Sequence, residues 1–241
     1  MQAGRSHAVF ATTRWSLVQA AGDGVSPEAV AALNTLANTY WYPLYAFARR
    51  SGCTPNDAED LTQGYFARLI DRNGLGDVRS DRGRFRGFLL ASFKHFMADE
   101  WKKGRRQKRG GGVEQISLDA GEAEDRYGLE PVEIRDAERL FQRRWAMTIL
   151  DRALGRLEAE FVASERSRVF HELRPFLVGD STGTYAEAAR ALNTSEAAIK
   201  MTVSRLRQRA RVIIRDEIAQ TVSTPAEVDE EFRALLEALR S

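Results

Sequence analysis

Apolar positions recur at intervals of three and four residues along most of the chain, and no stretch sustains the strict alternation of a half-buried strand. The pattern predicts helices nearly throughout. Thr12 or Thr13 can cap one that carries Trp15, Leu17 and Val18. Ser26-Pro27-Glu28 opens a longer one through Val30, Leu33 and Leu36 toward Trp41, with Pro43 expected to bend or restart it. Thr54-Pro55-Asn56-Asp57 is a further start, with Thr54 as cap and Pro55 in the first turn. The helix it opens puts Ala58, Leu61, Tyr65, Phe66 and Leu69 on one face. After a turn-rich stretch, residues 73–87, comes Phe88-Leu89-Leu90 and a helix that ends in the basic run WKKGRRQKR. Helices resume at Leu140-Phe141-Gln142-Arg143-Arg144-Trp145. The last begins at Thr224-Pro225-Ala226-Glu227 and carries the stripe Val228, Phe232, Leu235, Leu236 and Leu239.

Residues 184–211, TYAEAARALNTSEAAIKMTVSRLRQRAR, hold two such signals in close succession. Thr184 and Glu187 have the spacing of a capping box for a short helix, Asn193 tolerates the left-handed conformation that ends it, and Ser195 can cap the next. Two helices joined by about three residues match a helix-turn-helix. On the second, Ile199, Val203, Leu206, Ala210 and Ile213 fall in a narrow arc at about 100° per residue. The opposite face then presents Ala197, Lys200, Met201, Ser204, Arg205 and Gln208. Small and basic groups there can approach base edges, while Arg207, Arg209 and Arg211 can meet phosphates. Any amphipathic helix has a polar outer face, but this one has no acid between Glu196 and Asp216 to pair with its cations. That favours DNA.

Charge sharpens the picture. The 241 residues carry a net +2, with 43% hydrophobic and 29% charged residues, as in a globular protein. Residues 81–110 hold ten Lys/Arg against three Asp/Glu, and residues 113–138 hold nine acids against two Arg. Residues 196–215 return to six against one, and residues 216–241 to two against seven. Two basic blocks, each followed by an acidic one, suggest two surfaces that face polyanions and acidic segments that shield them. Gly110-Gly111-Gly112 and the acids that follow read as a linker.

Other chemistry finds little support. The single cysteine, Cys53, has no disulfide partner, and His7, His95 and His171 show no ligand spacing, so no metal and no cofactor are expected. The glycine run lacks the Gly-Lys-Ser/Thr and preceding strand of a phosphate cradle. No apolar run reaches the roughly 18 residues of a membrane span, and the first residues lack a signal-peptide core, so a cytoplasmic protein is expected.

The first basic block, RFRGFLLASFKHFMADEWKKGRRQKR (84–109), interleaves Phe85, Phe88, Phe93, Phe96 and Trp101 with Arg84, Arg86, Lys94, His95, Lys102 and Lys103. Cations alone suit a duplex; aromatics beside them suit an unstacked single strand, because every base offers a π-face. Phe93 and Phe96, spaced to share one helix face, read first as core. A duplex reader and a single-strand platform in one chain suit recognising DNA and then holding it open.

With these features in hand, residues 25–110 and 140–215 resemble bacterial RNA polymerase sigma factors of the extracytoplasmic-function (ECF) class. Asp57-Ala58-Glu59-Asp60-Leu61-Thr62-Gln63-Gly64-Tyr65-Phe66 is similar to the family's AEDLxQExF segment. The resemblance implies that Asp60, Gln63 and Gly64 dock on the clamp of the polymerase's largest subunit. Phe85 to Trp101 with KKGRR resembles the segment that captures the melted minus-10 strand, with His95 where the family commonly has Asn. It implies that Phe85, Arg86, Phe88, Lys94, His95, Lys102, Lys103 and Arg105 face that strand. Tyr185 to Leu206 resembles the family's helix-turn-helix, with Asn193 for Gly and Met201-Thr202 for Ser-Arg. It implies that Lys200, Met201, Ser204, Arg205, Arg207 and Gln208 meet the minus-35 element.

The expected fold is all-α, two helical domains joined by a flexible acidic linker, the second with the helix-turn-helix, plus a C-terminal amphipathic helix. The expected divisions are a domain at 10–110, a linker at 111–138, a second domain at 139–216 and an extension at 217–241. The extension and the N-terminal ATTRWSLV suggest an enlarged subgroup, its last helix packing on the second domain or binding a regulator. The expected partners are RNA polymerase core and promoter DNA, duplex and single-stranded, with an anti-sigma factor or other regulator as a further possibility and no membrane segment. Two other readings stay open here: an operator-binding regulator that never joins the polymerase, and an enzyme built on Cys53 or the glycine run.

Overall fold

The computed structural model describes residues 27–70, 85–104, 120–130, 136–178, 183–222 and 224–240. Among them the protein is all-helical, with ten helices and no strand. The predicted helix around Trp15, the glycine run and Arg105 lie outside the described residues. Two compact units emerge, Met1–Met147 with Ile218–Ser241, and Thr148–Glu217.

In the first unit α1 (Pro27–Arg50), α2 (Pro55–Ile70) and α3 (Phe85–Gly104) supply most of the core. Helix α1 runs unbroken through Pro43, where the sequence predicted a bend or a restart, so the helix does not restart there. A proline inside a helix costs about 3 kcal/mol or more. Here Tyr40, Trp41, Leu44, Tyr45 and Phe47 around it are all buried, which offsets that cost. Edge-to-face aromatic pairs tie the helices together: Tyr40 meets Phe85 at 5.1 Å between ring centroids, and Tyr65 meets Phe93 at 5.1 Å. Thr54 caps α2 as expected, its Oγ1 accepting from the Asp57 amide at 3.2 Å.

The acidic stretch read as linker is not all linker. It contains α4 (Ala120–Gly128), which packs on α1. Arg49 grips Glu124 with two hydrogen bonds, Nε to Oε2 at 2.9 Å and a terminal nitrogen to Oε1 at 2.7 Å. Its guanidinium also lies 4.8 Å from the Tyr127 ring centroid. Beyond α4, buried Glu130 accepts from the Tyr42 hydroxyl at 2.7 Å and pairs with Arg144. Charge density suggested a solvated tether; specific arginine and tyrosine partners on other helices make these acids structural.

Helix α5 (Ala137–Ala163) begins in the first unit, and Phe141 and Trp145 on it are fully buried. Helix α10 (Pro225–Arg240) belongs to this unit as well, so the expectation that it packs on the second domain is corrected. Its buried positions are Val228, Glu231, Leu235 and Ala238, whereas Leu236 is exposed. The buried arc is therefore rotated toward a carboxylate, and its cause is Arg86 on α3, 2.9 Å from Glu231.

The second unit holds the rest of α5, then α6 (Ser167–Leu173), α7 (Pro175–Val178), α8 (Tyr185–Ala191) and most of α9 (Glu196–Ala219). Its core gathers Leu157, Phe170, Leu173, Ala188, Ala189, Ile199, Val203, Leu206 and Ile213. Small Ala188 and Ala189 let α8 approach closely. Among the described residues no helix is long and apolar enough to cross a membrane.

Candidate nucleic-acid interface

In the second unit the local sequence fixes the turn between α8 and α9. Thr184 Oγ1 accepts from the Glu187 amide at 3.2 Å, and Glu187 Oε2 accepts from the Thr184 amide at 2.7 Å, the reciprocal box the spacing predicted. That backbone donor, with the Thr184 hydroxyl, holds the Glu187 carboxyl below its ordinary pKa. Asn193 adopts φ 50, the left-handed conformation expected of it. Ser195 Oγ accepts from the Ala198 amide at 3.2 Å and starts α9.

Helix α9 has two distinct faces. Ile199, Val203, Leu206 and Ile213 are buried, while Lys200, Ser204, Arg205, Arg207 and Gln208 are exposed and Met201 is 57% exposed. The cations differ in how freely they can turn outward. Lys200 pairs with Glu196 one turn earlier at 2.8 Å, and Arg207 donates to the Phe176 carbonyl at 2.9 Å. Arg209 donates through Nε to Glu160 on α5 at 2.9 Å. Arg205 and Gln208 have no such partner among the described residues. For Arg209 the counter-charge that the sequence of α9 lacks is thus supplied by a distant helix.

In the first unit the sequence-predicted residues on α3 separate into two groups. Phe85 is fully buried and Phe88 nearly so, and both are core. Arg86 is turned inward: it pairs with Glu231, donates to Gln142, and lies 4.0 Å from the Trp145 ring centroid. In this conformation none of the three can meet a DNA strand, because the aromatic–cation alternation that suggested stacking spans a helix whose first turn is embedded. Phe93 is core too, and Phe96 contacts Tyr65. The remaining cations point outward. Lys94 pairs with Glu138 and Lys103 with Glu100, whereas His95 and Lys102 are exposed without a hydrogen bond or ion pair among the described residues. Seven residues apart, these two lie within about 20° of each other around the helix. Arg105 lies outside the described residues.

On α2, Asp60 is exposed, and Gln63 and Gly64 are half-buried. Gln63 donates to Glu59 at 2.8 Å. Asp60 and Gly64 border an open groove of about 600 Å³ between α2 and α3, together with Asp57, Leu61, Phe96, Glu100 and Trp101. The 51% exposed Trp101 therefore stands beside carboxylates. Sequence reasoning placed Trp101 only among the cations, because the groove arises where two helices meet and has no signature along either one.

Cys53 is buried, and burial pushes its thiol pKa up, away from the reactive thiolate. Among the described residues no cluster of His, Cys, Asp and Glu could hold a metal ion.

Neither the curated proteins nor the solved structures include a match to this chain. One family does match, described as ECF sigma factor, over residues 36–218, which take in α2, α3, α8 and most of α9. Sigma factors bind RNA polymerase core and promoter DNA to begin transcription and are not a class of enzyme. With that match spanning well over half of its length, the chain belongs to the ECF sigma factor family.

Proposed function

We propose that this sigma factor reads an upstream promoter element as duplex with α9 and holds an unwound downstream element along α3. The α8–α9 pair then acts as a helix-turn-helix, and α2 docks on the clamp of the polymerase's largest subunit through Asp60, Gln63 and Gly64. The carrying observation is the two-faced α9, whose buried stripe of Ile199, Val203, Leu206 and Ile213 leaves Lys200, Met201, Ser204, Arg205 and Gln208 outward. Arg205, unengaged, is placed to bridge two acceptors of a guanine edge, and Met201 offers apolar contact to a thymine methyl. Lys200 need only exchange a weak surface partner for DNA, since an exposed ion pair contributes about 0–1 kcal/mol, whereas Arg207 would give up its hydrogen bond to the Phe176 carbonyl.

On α3 the strand-facing set narrows to His95 and Lys102, flanked by Lys94 and Lys103. Arg105, next along the basic run, is its natural continuation. His95 supplies a donor and an acceptor for an exposed base edge, and the lysines meet phosphates. The protein makes and breaks no bonds; nucleotide addition belongs to the polymerase, with which it works in the cytoplasm. The test is transcription in vitro from a promoter library by core polymerase with and without this chain, combined with footprinting by a single-strand-specific probe. A defined promoter class appearing only with the protein, with unpaired bases protected near α3, is expected. Operator binding with no core affinity, or protection of paired DNA alone, would reduce the protein to a duplex-binding regulator.

A further inference from the structure

Residues 219–240 lie beyond the family match, yet they supply walls of the first unit's core. Thr221, Val222, Val228, Glu231, Leu235 and Ala238 are all buried. Two of them act on the first turn of α3. The Thr221 carbonyl accepts from the Phe85 amide at 3.3 Å, satisfying a donor that a helix start leaves without an intrahelical partner. Glu231, 1% exposed at its side chain, holds Arg86 at 2.9 Å. Arg86 is clamped from two further sides, by Gln142 and by the face of Trp145.

A buried ion pair is a poor source of net stability, since desolvating both charges consumes most of what their attraction returns. Its strength is geometric: a charge left buried without its partner is costly, so other registers of α10 on α3 are excluded. Arg86 follows Phe85 directly and precedes His95 by nine residues on the same rigid helix. Fixing the first turn of α3 therefore fixes where its outward face, with His95 and Lys102, stands in the unit.

We propose that the C-terminal segment is a working part of the strand-holding unit, with Glu231 as a positioning residue that sets α3 through Arg86. Glu231 touches no DNA; it determines whether the helix that does so keeps its place. The inference rests on the proposed role of α3, and the experiment separates the two. Full-length protein and the Glu231→Gln and Glu231→Asp variants are compared in three measurements: affinity for core polymerase, affinity of the resulting holoenzyme for a single-stranded minus-10 oligonucleotide, and hydrogen exchange. Glu231→Gln should lose about tenfold in strand affinity, with core affinity unchanged, and Glu231→Asp should recover part of the loss. Exchange at the first-turn amides of α3 should quicken in Glu231→Gln while α2 stays protected. Unchanged strand affinity would overturn the inference, and so would core and strand affinity falling in parallel, which marks a role in folding alone. If wild-type holoenzyme itself fails to bind the oligonucleotide, the assignment of α3 fails instead.

Discussion

Arg205 and Arg209 stand one turn apart on α9 and are expected to behave differently because their partners differ. Arg205 has no partner among the described residues, so Arg205→Ala should cost about 1–3 kcal/mol at the preferred upstream element and little elsewhere. Competition binding across single-base variants of that element measures this, and an equal loss on every sequence would refute a base contact. Arg209 is held by Glu160, whose carboxyl it keeps below the ordinary pKa. Glu160→Gln should release Arg209 and strengthen binding to all duplexes. The slope of log affinity against log salt should steepen by about one unit; an unchanged slope would mean that Arg209 never reaches a phosphate. The sequence showed that α9 has no acid of its own in this stretch. It could not show that Glu160, 49 residues earlier, reaches across from α5. Arg86 teaches the same lesson at greater distance, since its partner Glu231 is 145 residues away.

Among the elements, α2 carries a glycine in mid-helix, and helical glycine costs about 1 kcal/mol relative to alanine. A Cβ at Gly64 would meet only the Phe96 ring, at an ordinary contact distance of 3.5 Å. Gly64→Ala should therefore raise the thermal midpoint, by an amount corresponding to up to about 1 kcal/mol. A loss of core polymerase affinity in the same variant would show that the bare backbone serves docking. Helix α4 gives a pH-dependent prediction. Arg49, with help from Tyr45, holds the Glu124 carboxyl below its ordinary 4.5. A depressed carboxyl contributes stability above the unfolded pKa and loses it as pH falls through the folded one. Wild type should thus resist urea better than Glu124→Gln at pH 7, and the gap should close on acidification below about 4.5. A gap that stays constant to pH 3 would argue against the Arg49–Glu124 contact. Helix starts were the most legible features, because Thr54, Thr184, Ser195 and Thr224 act through neighbours three residues away. The acids of α4 were less legible, since their packing against Arg49 and Tyr45 outweighs local preference there.

For the molecule as a whole, the helical class, the amphipathic α9 and the family resemblance were all readable from periodicity and motif. The allegiance of the chain's last helix was not. An apolar stripe says that α10 must pack, but not against what, and Glu231 in its buried arc breaks the pattern that would have identified the face. The outcome is a first unit assembled from both the early and the late parts of the chain, with Thr148–Glu217 inserted between them. Synthesis proceeds from the N-terminus, and compact units fold as they become complete. The inserted unit can close as soon as it emerges, but the first unit must wait for the helix that carries Glu231. A nascent chain stalled short of Glu231 would carry a complete inserted unit beside a first unit whose Arg86 still lacks its carboxylate partner.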